Sequence, residues 1–398
     1  MIIDGDITMK NLTKLSYLAA SIVLAAGNAQ AKGFDIGGTT VNFGGFVKLD
    51  AMVSQSDGEI AGIGRDFYVP SLTPIGGDST TRFDMHARQS RFFFSTVTEL
   101  ENGDKVTGHL EFDMMTSNNG NDERTTNGYS PVMRHAFLKY NNWTLGQTWS
   151  NFMDLASLPE SLDFVGNPDA AIFIRQAQVR FSQGNFSVSL ENPESTVTPF
   201  NGGVRITTDD NAMPDFTASY NLKMDWGVVK IAALLRQISI DGSYNGVVYD
   251  DSVMSYGISV STKVNFSNND DLRVTFNAGK GLGRYIGLNT VNGAVLTTAD
   301  ANAKLETIDA MGVSVAYRHL WSESLRSNFI FSTLNVDNET AYTGAAVTKS
   351  TQSYSANLLY QATPKLMVGM EYRFANRQIE SGTEGDMNRV QFSAKYDF

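Results

Sequence analysis

Apolar and polar residues alternate one by one along most of this chain, in short runs broken by turn residues. In VNFGGFVKLDAMVS, residues 41 to 54, the side chains of Val41, Phe43, Val47, Leu49, Ala51 and Val53 share one parity, and Asn42, Lys48 and Asp50 share the other. Period two marks a strand with one greasy and one polar face. KVTGHLEFDMM repeats the pattern from Lys105, and the same grammar recurs in NFSVSLE, DFTASYNLK, MSYGISVSTKVNF, LRVTFNAG, MGVSVAYRH, LRSNFIFST, YSANLLYQ, KLMVGMEYRFA and the final NRVQFSAKYDF. With RQSRFFFSTVTE, RHAFLKY, TLGQTWS, IRQAQVRFS and WGVVKIAALLRQ added, the chain reads as all-β with about sixteen strands.

The connections come in two kinds that take turns. Short ones fall at 101–104, 141–142, 183–185, 224–227, 267–270, 321–324 and 363–364; long ones fall at 55–87, 116–131, 150–171, 192–214, 239–252, 282–306, 335–350 and 376–386. Such alternation predicts a transmembrane antiparallel β-barrel with short periplasmic turns and long extracellular loops. Trp143, Trp226 and Trp321 each sit in or beside a short turn, as an aromatic girdle at one membrane interface requires. The terminal Phe398, with apolar residues two apart before it, fits a girdle residue and the assembly signal of outer-membrane barrels.

Composition narrows the picture further. Cysteine is absent, and no apolar run approaches the ~18 residues of a spanning helix. The segment MKNLTKLSYLAASIVLAAGNAQAKG has the layout of a secretory signal peptide, with Met9 as start and cleavage after Ala31. Residues 1–31 are then leader, and 32–398 form the barrel. The formal net charge of -11 argues against a nucleic-acid partner. Many acids fall in the long loops, as at Asp209, Asp210, Asp250 and Asp251, where they are solvated or bridge to lipopolysaccharide through divalent cations. No tight ligand spacing marks a metal site, and passive transport needs no cofactor.

If the apolar parity faces lipid, the other parity lines the lumen. That set contains Lys48, Arg91, Lys105, Arg180, Lys230, Arg236, Lys263, Arg273, Arg318, Arg326, Arg373, Arg389 and Lys395 against Asp50, Glu111, Asp113, Glu191, Glu371 and Asp397. Cations on the wall of an acidic protein predict a lumen that favours anions. Mutual pairing with the lumen acids is the competing use of these arginines.

The connection SNFMDLASLPESLDFVGNPDAA, residues 150 to 171, is too apolar for a solvated loop and carries a helix-compatible stretch. It is expected to fold inward and narrow the pore, with Asp154, Glu160 or Asp163 opposite arginines. Arg134 and Arg175 fall on the apolar parity, which places them at the extracellular rim or against a neighbouring subunit. An outer-membrane hydrolase would need a hydroxyl beside one of His86, His109, His135 or His319, and none lies in a nucleophile motif.

ARQSRFFFSTVTELENGDKVTGHLEFDM, MRHAFLKYNNWTLGQTWSNFMDLASLPESLDFVGNPDAAIFIRQAQVRF and ENPES closely resemble the DcaP-like porins of Gram-negative outer membranes. The resemblance implies a homotrimer of sixteen-stranded subunits with an inward third loop, admitting small anionic solutes such as dicarboxylates. It places Arg91, Arg180 and the loop 150–171 at the constriction. Family members often bear an N-terminal coiled coil, whereas here the mature chain from Lys32 enters its first strand within about ten residues, too few for heptads. The expectation is an anion-preferring diffusion porin; an oligosaccharide uptake channel and a plugged binding or adhesion barrel are the alternatives.

Overall fold

The computed structural model describes residues 33–117 and 125–398; the expected leader and its cleavage after Ala31 lie outside them. Sixteen antiparallel strands close into a barrel. The first wall strand, Thr39–Asp57, pairs with the last, Glu384–Asp397, in register from Phe46↔Asp397 to Ser56↔Met387, which forms the seam. A short strand, Phe34–Ile36, occupies the same edge of the first strand below that seam. The second wall strand is interrupted: Ser79–His86 pairs with the upper half of the first strand and Arg91–Glu99 with the lower half.

Alternation sorts the side chains as lipid requires. Val47, Leu49 and Val53 are exposed on the outer face, whereas Lys48, Asp50 and Ser54 between them are buried inside. The same division holds in the last strand, where Phe392 and Tyr396 face out while Arg389, Gln391 and Ser393 face in. Trp143, Trp226 and Trp321 are 43–57% exposed, all at the rim carrying the short turns. Phe398 closes the seam with a backbone hydrogen bond to Gly45 and packs its ring 5.5 Å from Phe43.

Three features depart from the sequence expectation. The segment 239–252, expected as a long loop, is the tip of an extended hairpin: Gly227–Tyr244 and Val247–Asn265 pair over their full length around Asn245 and Gly246. Both turn residues have positive φ, 53° and 82°, the backbone that makes Asn-Gly the favoured two-residue hairpin turn. Above the membrane its outer face no longer needs to be apolar, so alternation fades while pairing continues.

A second loop also folds inward. Leu282, Tyr285 and Ile286 are fully buried and join Phe152, Met153 and Ile172 in one core inside the barrel, against Ala232, Leu234, Ala310, Leu334 and Val336 of the wall. The inner parity is therefore apolar in its upper part. Above it, Ser195–Thr198, Ile206–Thr208, Ala294–Leu296 and Leu305–Thr307 form a small four-stranded sheet, whose apolar side covers Ile238, Ile240 and Tyr249 of the hairpin.

Candidate functional site

The segment from Ser150 to Ala171 packs on inward-facing side chains of the wall and contains no helix among its turns. Pro159 falls in the middle of the helix-compatible stretch and lacks the N–H a helix would need. An irregular segment leaves its carbonyls without backbone partners, and at membrane depth each must find a donor. The wall cations supply them. Lys230 donates to Met153 O at 2.6 Å, Arg273 to Leu158 O, Lys48 to Leu162 O at 2.5 Å, and Arg373 to Gly166 O at 3.1 Å. Arg180 donates to Trp149 O at 2.5 Å, where the loop leaves its strand.

The loop acids lie against the wall in different ways. Glu160 makes a two-pronged pair with Arg326 at 2.5 and 2.8 Å. Burial works against ionisation of Glu160, but the Arg326 guanidinium outweighs it and holds the carboxyl below its ordinary range. Asp163 faces Arg373 at 3.5 Å and accepts from the backbone of Tyr68; burial pushes its pKa up despite Arg373. Asp169, bonded by Tyr68 Oη at 2.8 Å and by Ser353, is raised by burial as well. Among the described residues Asp154 meets no arginine; it accepts from Ser261 at 2.6 Å.

This belt of contacts runs over the wall strands from Phe186–Glu191 round to the seam and consumes two of the expected pore cations. Lys48 and Arg373 are 3% and 2% exposed, so they are struts under the loop and do not line a passage. Gly312 shows how close the loop lies: a Cβ there would stand 2.9 Å from Ala170 Cα.

Arg91 stays partly open, with 21% of its side chain exposed, and faces Glu111 at 3.5 Å and Asp113 at 3.4 Å. Arg134 joins the same pair of acids, at 2.8 Å to Glu111 and 2.5 Å to Asp113. Its expected place at the rim or a subunit contact is therefore corrected. In the pairing of Lys105–Asp113 with Val132–Tyr140 the register slips between Glu111↔His135 and Phe112↔Met133, leaving Arg134 as the extra residue of a bulge. The bulge turns both Arg134 and His135 inward, where both are buried. Arg175 keeps the parity opposite to Gln176 and Gln178, half-buried with its guanidinium 4.7 Å from the Trp149 ring.

Arg318 pairs with Asp271 at 2.8 Å near the short-turn rim and is 27% exposed. His135 touches the Thr148 hydroxyl at 3.0 Å and lies 3.9 Å from Glu111, a hydroxyl-imidazole-carboxylate line in outline. All three groups are buried, and Glu111 is committed to Arg134. The second inward loop was missed at the sequence level. Its signal was the one that exposed the first: Leu282, Tyr285, Ile286, Val291 and Val295 are apolar residues in a segment with no strand pattern.

A closed barrel with alternation matched to lipid and a loop belted across its lumen defines an outer-membrane porin. The profile described as DcaP outer membrane protein matches residues 2–398, and the chain belongs to that family, in the outer membrane of Gram-negative bacteria. Among solved structures, the outer membrane channel DcaP of Acinetobacter baumannii is similar at 24% identity with a TM-score of 0.74, over 92% of this chain and 99% of that one. OmpT of Vibrio cholerae shares the fold at 13% identity and TM-score 0.56, over 92% and 100% of the two chains. The anion-selective porin from Comamonas acidovorans does so at 10% identity and 0.55, over 90% and 100%. No curated protein matches the chain by sequence.

Proposed function

We propose that the protein conducts small hydrophilic solutes passively through the space left beside the infolded loop, prefers anions such as dicarboxylates, and works as a homotrimer. The observation that carries this is which charges meet water inside the barrel. Asp50, Glu111, Asp113, Glu191, Asp271 and Glu371 are all buried to within 5% of full burial. Arg91, Lys263, Arg318, Arg326 and Lys395 keep 18–29% of their side chains exposed. Arg326 and Lys395 share the surface with the open carboxylates of Glu160 and Asp397, 33% and 20% exposed. At Arg91, Lys263 and Arg318, however, a solute meets the cation over a buried acid, in a confined low-dielectric space that concentrates its field.

The trimer is supported by the shared fold with OmpT of Vibrio cholerae, one of whose structures is of a trimer form. Arg175 over Trp149, at the long-loop end of its strand, is proposed as a rim or subunit-contact residue, and Phe398 as the assembly signal. A second reading, the plugged binding barrel, gains weight from the core that the two inward loops share.

Single-channel recording in a planar bilayer, with the reversal potential taken across a KCl gradient, tests the proposal. Three equal conductance steps with chloride preference are expected, and Arg91→Ser with Arg180→Ser should weaken that preference. Cation preference would overturn the anion reading, and a silent bilayer containing folded protein would select the plugged barrel.

A further inference from the structure

We infer that the lumen holds an anion station on the short-turn side of the infolded loop, built by Lys263, Arg273 and Arg318 around the single carboxylate of Asp271 and suited to a small dianion. It rests on the anion-conducting reading above and adds to it a location.

The geometry comes from strand register. Lys263 stands directly opposite Arg273, and Asp271 directly opposite Arg318, on three adjacent strands ending Asn265, beginning Asp271 and running Asp309–Leu320. Like charges paired across a sheet repel. Here they converge on one acid: Arg273 lies 2.8 Å, Arg318 2.8 Å and Lys263 3.7 Å from the Asp271 carboxylate. Asp271 is 1% exposed and lies beneath them, whereas Lys263, Arg318 and Arg273 keep 29%, 27% and 13% of their side chains open.

Three cations around one carboxylate leave two positive charges uncompensated. Of the acids nearby, Glu160 is held by Arg326 in a two-pronged pair, and Asp270, next to Asp271 in the chain, is engaged by the Tyr317 hydroxyl, the His319 ring and the Leu320 N–H. Arg273 also donates to Leu158 O and Arg318 to Asn269 O, contacts that fix the guanidiniums without neutralising them. Across the lumen the balance differs, since Arg91 and Arg134 share Glu111 and Asp113, two for two.

A monoanion at the Asp271 cluster cancels half of the excess, and a dianion of a few ångströms cancels all of it. Valence discrimination therefore follows from the count, in a confined space where counter-charge is strongly attracted. The Leu158–Glu160 segment roofs the cluster and the turn with Asn269 floors it. A dianion leaving the constriction would pause there.

The test is a blockade measurement on the full-length protein in a planar bilayer. Sodium succinate or sodium sulfate is titrated from the short-turn side into KCl at constant ionic strength, with acetate as the monoanion. Saturable interruption of the chloride current by both dianions and none by acetate is expected. Lys263→Gln, which removes the least engaged of the three cations, should weaken dianion block about tenfold, the usual worth of one charge-assisted contact. Lys263→Arg should retain it. Lys263→Gln with Arg318→Gln should abolish it, with folding checked by the heat-dependent gel mobility of the barrel. Block unchanged in folded Lys263→Gln and in the double variant, with chloride preference intact, overturns the station and leaves the anion porin standing. Cation preference of the unmodified protein in KCl alone would instead overturn the reading beneath it.

Discussion

Arg134 Nε donates to Glu111 Oε1 at 2.8 Å, and the contact exists because the strand carries one extra residue between Met133 and His135. The bulge converts a position that should face lipid into the main counter-charge for two lumen acids. Arg134→Gln should leave Glu111 and Asp113 to Arg91 alone and expose a net negative wall. The permeability ratio of chloride to potassium is expected to fall roughly twofold as the local field reverses. A reversal potential unmoved by the substitution would place these acids off the conduction path.

Lys48→Met removes a donor to Leu162 O and the partner that lies 2.9 Å from Asp50. Gln391 and Ser393 still bond Asp50, but a buried carboxylate loses its counter-charge. A loss of about 3 kcal/mol is expected from breaking one side of a buried pair. Urea unfolding measures it, and noisier single-channel currents should accompany it as the loop loosens.

Gly312→Val would place side-chain carbon in the space taken by Ala170. Overpacking there should cost about 2 kcal/mol. If the belt yields before the wall does, conductance rises while the barrel stays folded.

The loop anchors respond to pH with opposite signs. Glu160, held below its ordinary range, contributes stability at pH values above about 4.3, and that contribution is lost as pH falls through its lowered value. Asp163 and Asp169 are raised, so their contribution is complete below about 3.9 and is lost as pH rises through their elevated values. Comparing Glu160→Gln with the unmodified protein from pH 3 to 7 isolates the first effect. The variant's stability should lack the acid-side fall attributable to the Arg326 pair; an identical fall in both would assign it to other carboxylates.

Much of this architecture was legible because lipid enforces a rule on sequence. Val47, Leu49 and Val53 must be apolar, so the strands, their order and the Trp143, Trp226 and Trp321 rim could be read from alternation. Where lipid stops, so does the signal, and the hairpin tip around Asn245 looked like a loop. Register was legible only where it is regular: the one-residue slip at Arg134 inverts a parity argument without leaving a mark in composition. The role of the wall cations was hidden for a different reason. Lys48, Lys230, Arg273 and Arg373 are matched to backbone carbonyls, which every residue has, so no side-chain partner for those contacts appears in the sequence.

The carbonyl of Leu162 accepts from Lys48 on the first wall strand and from Gln391 on the last. Those strands meet only after almost the whole chain has been made, so their pairing has the longest sequence separation in the barrel and carries the largest loop-closure penalty. Leu162 grips both sides of that joint. Closing the wall and setting the aperture thus become one cooperative event in folding, and a barrel caught with its seam apart would also have lost the clasp that fixes its bore.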